Sequence, residues 1–209
     1  FVGREELIRE ITGYIRQAKA GRMENIFLYG ERGIGKSSLA IYLSKYAEQQ
    51  GMLPVHVFLG GTDDLTEMAR RVFEGIIKEA KSHKWYDNIK GMFGNWVQSV
   101  DIFGVSVKFA PPPDQLEAVV NNFPEALINL HDKIKNERDG FFIVLDDING
   151  LAKTSDFANW YKSMVDYAAA HFENFPVLMM PVTLPEIREA LHNHQPSLMR
   201  IFRPAVVQL

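Results

Sequence analysis

Gly30-Glu31-Arg32-Gly33-Ile34-Gly35-Lys36-Ser37 combines three glycines, a lysine and a hydroxyl in the spacing Gly-x-x-x-x-Gly-Lys-Ser. Glycines let a backbone turn with positive φ and approach a ligand closely. Successive N–H groups of Gly30, Arg32, Gly33, Ile34, Gly35, Lys36, Ser37 and Ser38 can then point at phosphate oxygens. Lys36 can reach the β- and γ-phosphates, and the Ser37 hydroxyl can ligate Mg²⁺. At ordinary residue frequencies the four fixed positions match by chance in roughly one chain of this length per hundred. A second chemical group is Asp146-Asp147, directly after Phe141-Phe142-Ile143-Val144-Leu145. Asp146 is placed to hold Mg²⁺, directly or through a water, and Asp147 to orient or deprotonate an attacking water. The bland reading of this pair is a solvated turn or helix cap. Thr183, at the end of another apolar run, can meet a γ-phosphate, although a threonine there is also ordinary strand composition.

These residues need elements to hold them. Ile26 to Tyr29 reads as a strand entering the glycine loop, and Leu39, Ala40, Leu43 and Ala47 line the inward side of the helix that leaves it. That helix begins under the phosphates, so its open N-terminal amides and positive dipole end favour an anion. The five apolar residues before Asp146 show no alternation, as in a strand buried on both faces of a parallel sheet, whose C-terminal ends face ligands. Around this pair lie a first helix with Leu7, Ile11, Ile15 and Ala18 on one face, closed by Gly21; a strand from Leu53 to Leu59; and a helix to about Ala80. A helix of about 22 residues is expected from Asp114 to near Asn136, another from Ser155 to Phe172, a strand from Pro176 to Val182, a short helix after Pro185 and a last strand over Pro204 to Leu209.

Residues 81–113 break the rhythm. Trp85, Tyr86, Met92, Phe93, Trp96 and Phe103 crowd together between Gly91, Gly94 and Gly104, and Val100 to Phe109 alternates like a small hairpin. This reads as an insertion closed by Pro111-Pro112-Pro113, its aromatics forming either a local mini-core or a partner-binding surface. His192 and His194 bracket Asn193 without further metal-ligand types nearby, and exposed helix-end histidines are the simpler account.

The 209 residues suffice for one substantial α/β domain, 1–209, and 46% hydrophobic content supplies its core. Cysteine is absent, which excludes disulfide and thiolate chemistry and suits a reducing compartment. No apolar run is as long as a bilayer span, and the chain reads as cytoplasmic. A net charge of −3 gives no overall electrostatic footprint for nucleic acid, leaving that partner only to domains outside this chain. The first residue is Phe, as expected of a piece of a longer protein.

Together these residues resemble an AAA-type P-loop ATPase domain, close to the origin-recognition-like and STAND-like ATPases of archaea and bacteria. Phe1-Val2-Gly3-Arg4-Glu5-Glu6-Leu7 is similar to that family's opening box, whose backbone around Val2 and Gly3 lies against adenine. Gly30 to Ser37 corresponds to Walker A, Asp146-Asp147 to the end of Walker B and Thr183 to sensor 1. The segment Leu198 to Pro204 is similar to the stretch that carries an arginine finger in relatives, with Arg200 and Arg203 as equal candidates. The resemblance implies an α/β sandwich with a parallel five-stranded sheet of order 5-1-4-3-2. It further implies ATP and Mg²⁺ as ligands, with self-association through the nucleotide face. Relatives usually carry Asp-Glu at the Walker B end, whereas Asp-Asp is commoner among STAND-like switches, so slow turnover is expected. The helical lid that follows the core in relatives is expected to lie outside this chain.

The leading function is an ATP-binding, slowly hydrolysing switch. A nucleotide-bound adaptor that never turns over and a small-molecule kinase are the alternatives. GTP is disfavoured because no Asn-Lys-x-Asp segment occurs.

Overall fold

The computed structural model describes residues 3–80, 85–101 and 105–208. Phe1, Val2, Phe103, Gly104 and Leu209, on which expectations rested, lie outside the described residues. Five parallel strands form the central sheet: β1 (Glu24–Tyr29), β2 (Leu53–Phe58), β5 (Phe141–Asp146), β6 (Val177–Thr183) and β7 (Arg203–Val206). Their order is β2-β5-β6-β1-β7. The labels differ from the expected 5-1-4-3-2 because two hairpin strands outside the sheet, β3 (Val97–Asp101) and β4 (Val105–Phe109), are counted in between. β6 therefore separates the strand carrying Asp146 from the strand entering the glycine loop.

Strand composition follows position. Every residue of β5 and β6 is buried, matching their unbroken apolar runs, because helices cover both faces. Edge strand β2 alternates buried and partly or fully exposed residues. Its even positions turn their backbone groups outward. Pro54 has no amide to present there, and the Phe58 carbonyl accepts from the Arg71 guanidinium at 2.9 Å.

Alternation along β1 separates two cores. Ile26 and Leu28 face helices α1 (Glu5–Lys19) and α2 (Lys36–Gln49), packing with Ile15, Leu39, Leu43 and Val144. Phe27 faces the opposite layer, with Phe73 and Ile76 of α3 (Leu65–Ala80) and Phe157 and Tyr161 of α7 (Asp156–His171). Phe73 is fully buried, and truncating such a ring to alanine costs about 3–5 kcal/mol.

Two expectations change. The single helix after Pro113 is two, α5 (Pro113–Asn121) and α6 (Phe123–Ile134), with Asn122 between them at φ −116° and ψ 37°. Pro124 is the cause, since it lacks the N–H that would bond the Val120 carbonyl and its ring crowds that oxygen. The freed carbonyl instead accepts from the Trp160 indole of α7 at 3.0 Å. In the 81–113 segment, a helix α4 (Tyr86–Phe93) precedes an antiparallel hairpin of β3 (Val97–Asp101) and β4 (Val105–Phe109). Its aromatics are not a separate mini-core: Phe93 and Phe109 lie 5.9 and 5.8 Å from Phe73, continuous with the core beneath the sheet. The Phe109 amide donates to Glu74 of α3 at 3.2 Å, fastening the hairpin.

Candidate functional site

The loop between β1 and α2 owes its shape to its glycines. Gly33 and Gly35 have φ of 77° and 94°, and Gly35 is the left-handed residue from which α2 starts. Gly30 is required for room: a Cβ there would sit 2.5 Å from the Val207 carbonyl oxygen, where the chain leaving β7 (α8, Pro185–His194, and a 3₁₀ turn precede that strand) passes close by. α2 has no side-chain cap and no acidic residue in its first turn, so its leading amides are open to an anion. Arg4, after the turn at Gly3, donates to the Ile34 carbonyl and lies against Gly35. The opening segment is thereby brought onto the loop.

Lys36 bends back to donate to the carbonyls of Gly30 at 2.7 Å and Glu31 at 2.8 Å. Burial lowers its pKa from the ordinary lysine value, opposed chiefly by the Asp146 carboxylate. An open cleft of about 360 Å³ at the C-terminal end of the sheet is lined by Arg32, Gly33, Lys36 and Ser37 on the loop side and by Asp146, Asp147, Asn149 and Thr183 on the other. The residues read as chemical from the sequence thus converge across 150 positions of chain. Ile34 and Ser38 belong to the same turn and helix start but do not line this cleft.

Asp146 is 5% exposed, and its Oδ2 lies 2.9 Å from His56 Nε2 on β2. Asp147 has φ +62°, a left-handed conformation that aspartate tolerates better than most residues. Its amide donates to the Val182 carbonyl, and its Oδ1 is buried with no hydrogen-bond partner among the described residues. The carboxylate rests against Gly60, where a Cβ would be 2.9 Å from Oδ2. Thr183 is 2% exposed and donates its hydroxyl proton to Asn149 Oδ1 at 2.7 Å.

Oxygen donors from Ser37 and Asp146 on one cleft suit Mg²⁺, which takes few protein ligands and completes its shell with phosphate and water. Arg200 and Arg203 are not brought to this cleft. Arg203 pairs with Ile26 in register, three residues or about 10 Å short of the end of β1 at Tyr29. It lies over the Tyr14 ring at 5.5 Å and 3.8 Å from Glu24 Oε2. Arg200 stands exposed at the end of a 3₁₀ turn, Leu198–Arg200, that is anchored by the buried Leu198. His194 bonds the Ala152 carbonyl, and among the described residues no cluster of three or more His, Cys, Asp or Glu could hold a metal.

Sequence reasoning missed Arg4, His56, Phe58 and Asn149. Asn149 carries the clearest signal, a polar residue three positions past Asp146 in the same strand-end turn. Phe58, 64% exposed at the cleft wall, is a large apolar residue at a strand end.

Among solved structures, the chain is similar to the Aeropyrum pernix ORC2 protein in its ADP form, at 13% identity and a TM-score of 0.55, covering 99% of this chain and 48% of that one. It is also similar to Drosophila ORC bound to AT-rich DNA and Cdc6, at 10% identity and a TM-score of 0.56, covering 98% of this chain and 28% of that one. The chain thus spans about half or less of the length of these structures, and the likeness is one of fold. No curated protein sequence matches the chain. A family profile, described as AAA ATPase domain, matches residues 1–164. With the glycine loop, the paired aspartates and the sheet order already in place, the chain belongs to the AAA ATPase domain family.

Proposed function

We propose that the chain is a Mg²⁺-dependent module that binds ATP, hydrolyses it slowly and switches the arrangement of attached or partner domains with its nucleotide state, as STAND-like ATPases do. The observation that carries this reading is the convergence of Lys36, Ser37, Asp146 and Asp147 on one cleft beneath an uncapped helix start. Lys36 exchanges its two carbonyl partners for phosphate oxygens, and the open amides of the loop and α2 bind the remaining phosphate charge. Ser37 and Asp146 hold Mg²⁺, which when bound neutralises charge on the transferring phosphoryl group. Asp147 orients the attacking water, and its one-methylene shortfall relative to glutamate keeps turnover slow. Adenine lies against the segment at Val2 and Gly3. Arg200 or Arg203 reaches the site of a second copy by self-association through the nucleotide face.

The reading extends to a cytoplasmic setting and to one core, 1–209, that includes the 81–113 insertion; a lid and further domains would lie beyond the chain. DNA, named with the Drosophila ORC structure, would be a partner of such further domains and not of this surface.

The test is thermal unfolding with and without Mg·ATP. A ligand bound only to the native state raises its melting temperature by mass action. The parent should gain stability and Lys36→Ala should not, while melting normally without ligand. Equal gains for both would refute the phosphate-loop assignment.

A further inference from the structure

A hydroxyl has one proton, and that of Thr183 is already given away. Thr183 Oγ1 donates to Asn149 Oδ1 at 2.7 Å in a setting where Thr183 is 2% exposed. What Thr183 can still offer the cleft is lone pairs, which repel a phosphate oxygen. Asn149 has the complementary surplus. Its Nδ2 carries two protons, makes no hydrogen bond to another described residue, and belongs to a side chain that lines the cleft with Lys36 and Ser37. An amide is planar, so fixing Oδ1 also fixes the direction of Nδ2.

We infer that Asn149, and not Thr183, is the hydrogen-bond donor to the γ-phosphate, and that Thr183 is a positioning residue that holds the Asn149 amide with its NH₂ turned to the cleft. The inference rests on the proposed binding of ATP and specifies how the site tells ATP from ADP. ADP lacks the group that Asn149 would touch, so the contact adds affinity for ATP alone. A hydrogen bond to a charged group corresponds to roughly 10- to 100-fold in affinity.

Calorimetric titration of this chain with Mg·ADP and with Mg·ATPγS, a slowly hydrolysed analogue that retains a γ-phosphoryl group, tests the assignment. Asn149→Ala should leave ADP affinity within about twofold of the parent and cut the preference for the triphosphate about tenfold or more. Asn149→Asp, which keeps the acceptor for Thr183 but has no donor, should lose at least as much and serves if the alanine variant fails to fold. Thr183→Val should lose less than Asn149→Ala, because the amide remains though less well aimed, and Thr183→Ser should behave as the parent. A Thr183→Val loss equal to or larger than that of Asn149→Ala would overturn the inference, as would an unchanged triphosphate preference in both Asn149 variants. A parent that binds neither nucleotide would instead refute the ATP-binding reading and this inference with it.

Discussion

His56 Nε2 and Asp146 Oδ2 lie 2.9 Å apart, joining edge strand β2 to the strand that carries the paired aspartates across ninety residues of chain. The bond orients one carboxylate oxygen and leaves the other to the cleft. Groups that orient metal-binding side chains typically matter by 10- to 100-fold in metal affinity. His56→Ala should therefore raise the Mg²⁺ concentration needed for half-maximal nucleotide stabilisation by about tenfold, with metal-free melting little changed. His56→Gln, which keeps a donor, should recover most of this. A Mg²⁺ titration of the thermal shift at fixed ATP checks both variants, and unchanged midpoints would mean the bond serves only the sheet.

Asp147 separates a switch from a motor. Its carboxylate is one methylene shorter than glutamate, and misplacement of about 1 Å can cost on the order of 100-fold in rate. Asp147→Glu should accelerate single-turnover hydrolysis, and Asp147→Asn should nearly stop it while sparing ATP binding. The buried Oδ1 has no hydrogen-bond partner among the described residues to lose, so neither variant should unfold. Hydrolysis by Asp147→Asn at the parent's rate would reduce Asp147 to a turn residue.

The two candidate finger arginines are not equivalent in structure. Arg203 is occupied by Glu24 and Tyr14 on its own chain, whereas Arg200 stands exposed at the end of its turn. Arg200→Ala should slow hydrolysis by about 10³-fold at protein concentrations where the parent's specific activity rises with concentration. Arg203→Ala should chiefly lower the melting temperature, by an amount corresponding to about 1 kcal/mol or less. The reverse pattern would place Arg203 in the neighbour's site, and concentration-independent activity with both arginines dispensable would support a monomeric switch.

Glu67 sets an acid limit on α3. Hydrogen bonds from Arg70, and then from Arg71, hold its pKa down from 4.5 to about 2. A depressed folded-state value means that its contribution is complete above about pH 4.5 and fades as the pH falls towards 2. Because the cluster is about one-third exposed, solvent screening keeps that contribution to about 1 kcal/mol or less. Glu67→Gln should lower the melting temperature slightly at pH 7 and flatten its decline between pH 4.5 and 2. Parallel melting curves for variant and parent across that range would dismiss the assignment.

What could be read in advance was local. The glycine loop, the buried run into Asp146-Asp147 and the helix with Leu39 and Leu43 each carry their signal within a few residues. What escaped depends on distant partners. Pro124 announced a break, but a long amphipathic pattern hid it, and the Trp160 indole that completes it comes from another helix. His56 is one polar residue within the run from Leu53 to Leu59, and its partner becomes visible only with β5 laid beside it. Asn149 lay in the turn after Asp146, yet its bond to Thr183 spans 34 residues and arises only from the pairing of β5 with β6.

The outward rim of β2 bears on how copies of this molecule can meet. A strand approaching that rim to extend the sheet finds no amide at Pro54, and its hydrogen at the Phe58 carbonyl must displace Arg71. Edge-to-edge zippering, the route to fibrils and open-ended ribbons, is discouraged on that side, so two copies can be held at high concentration without their sheets fusing through β2.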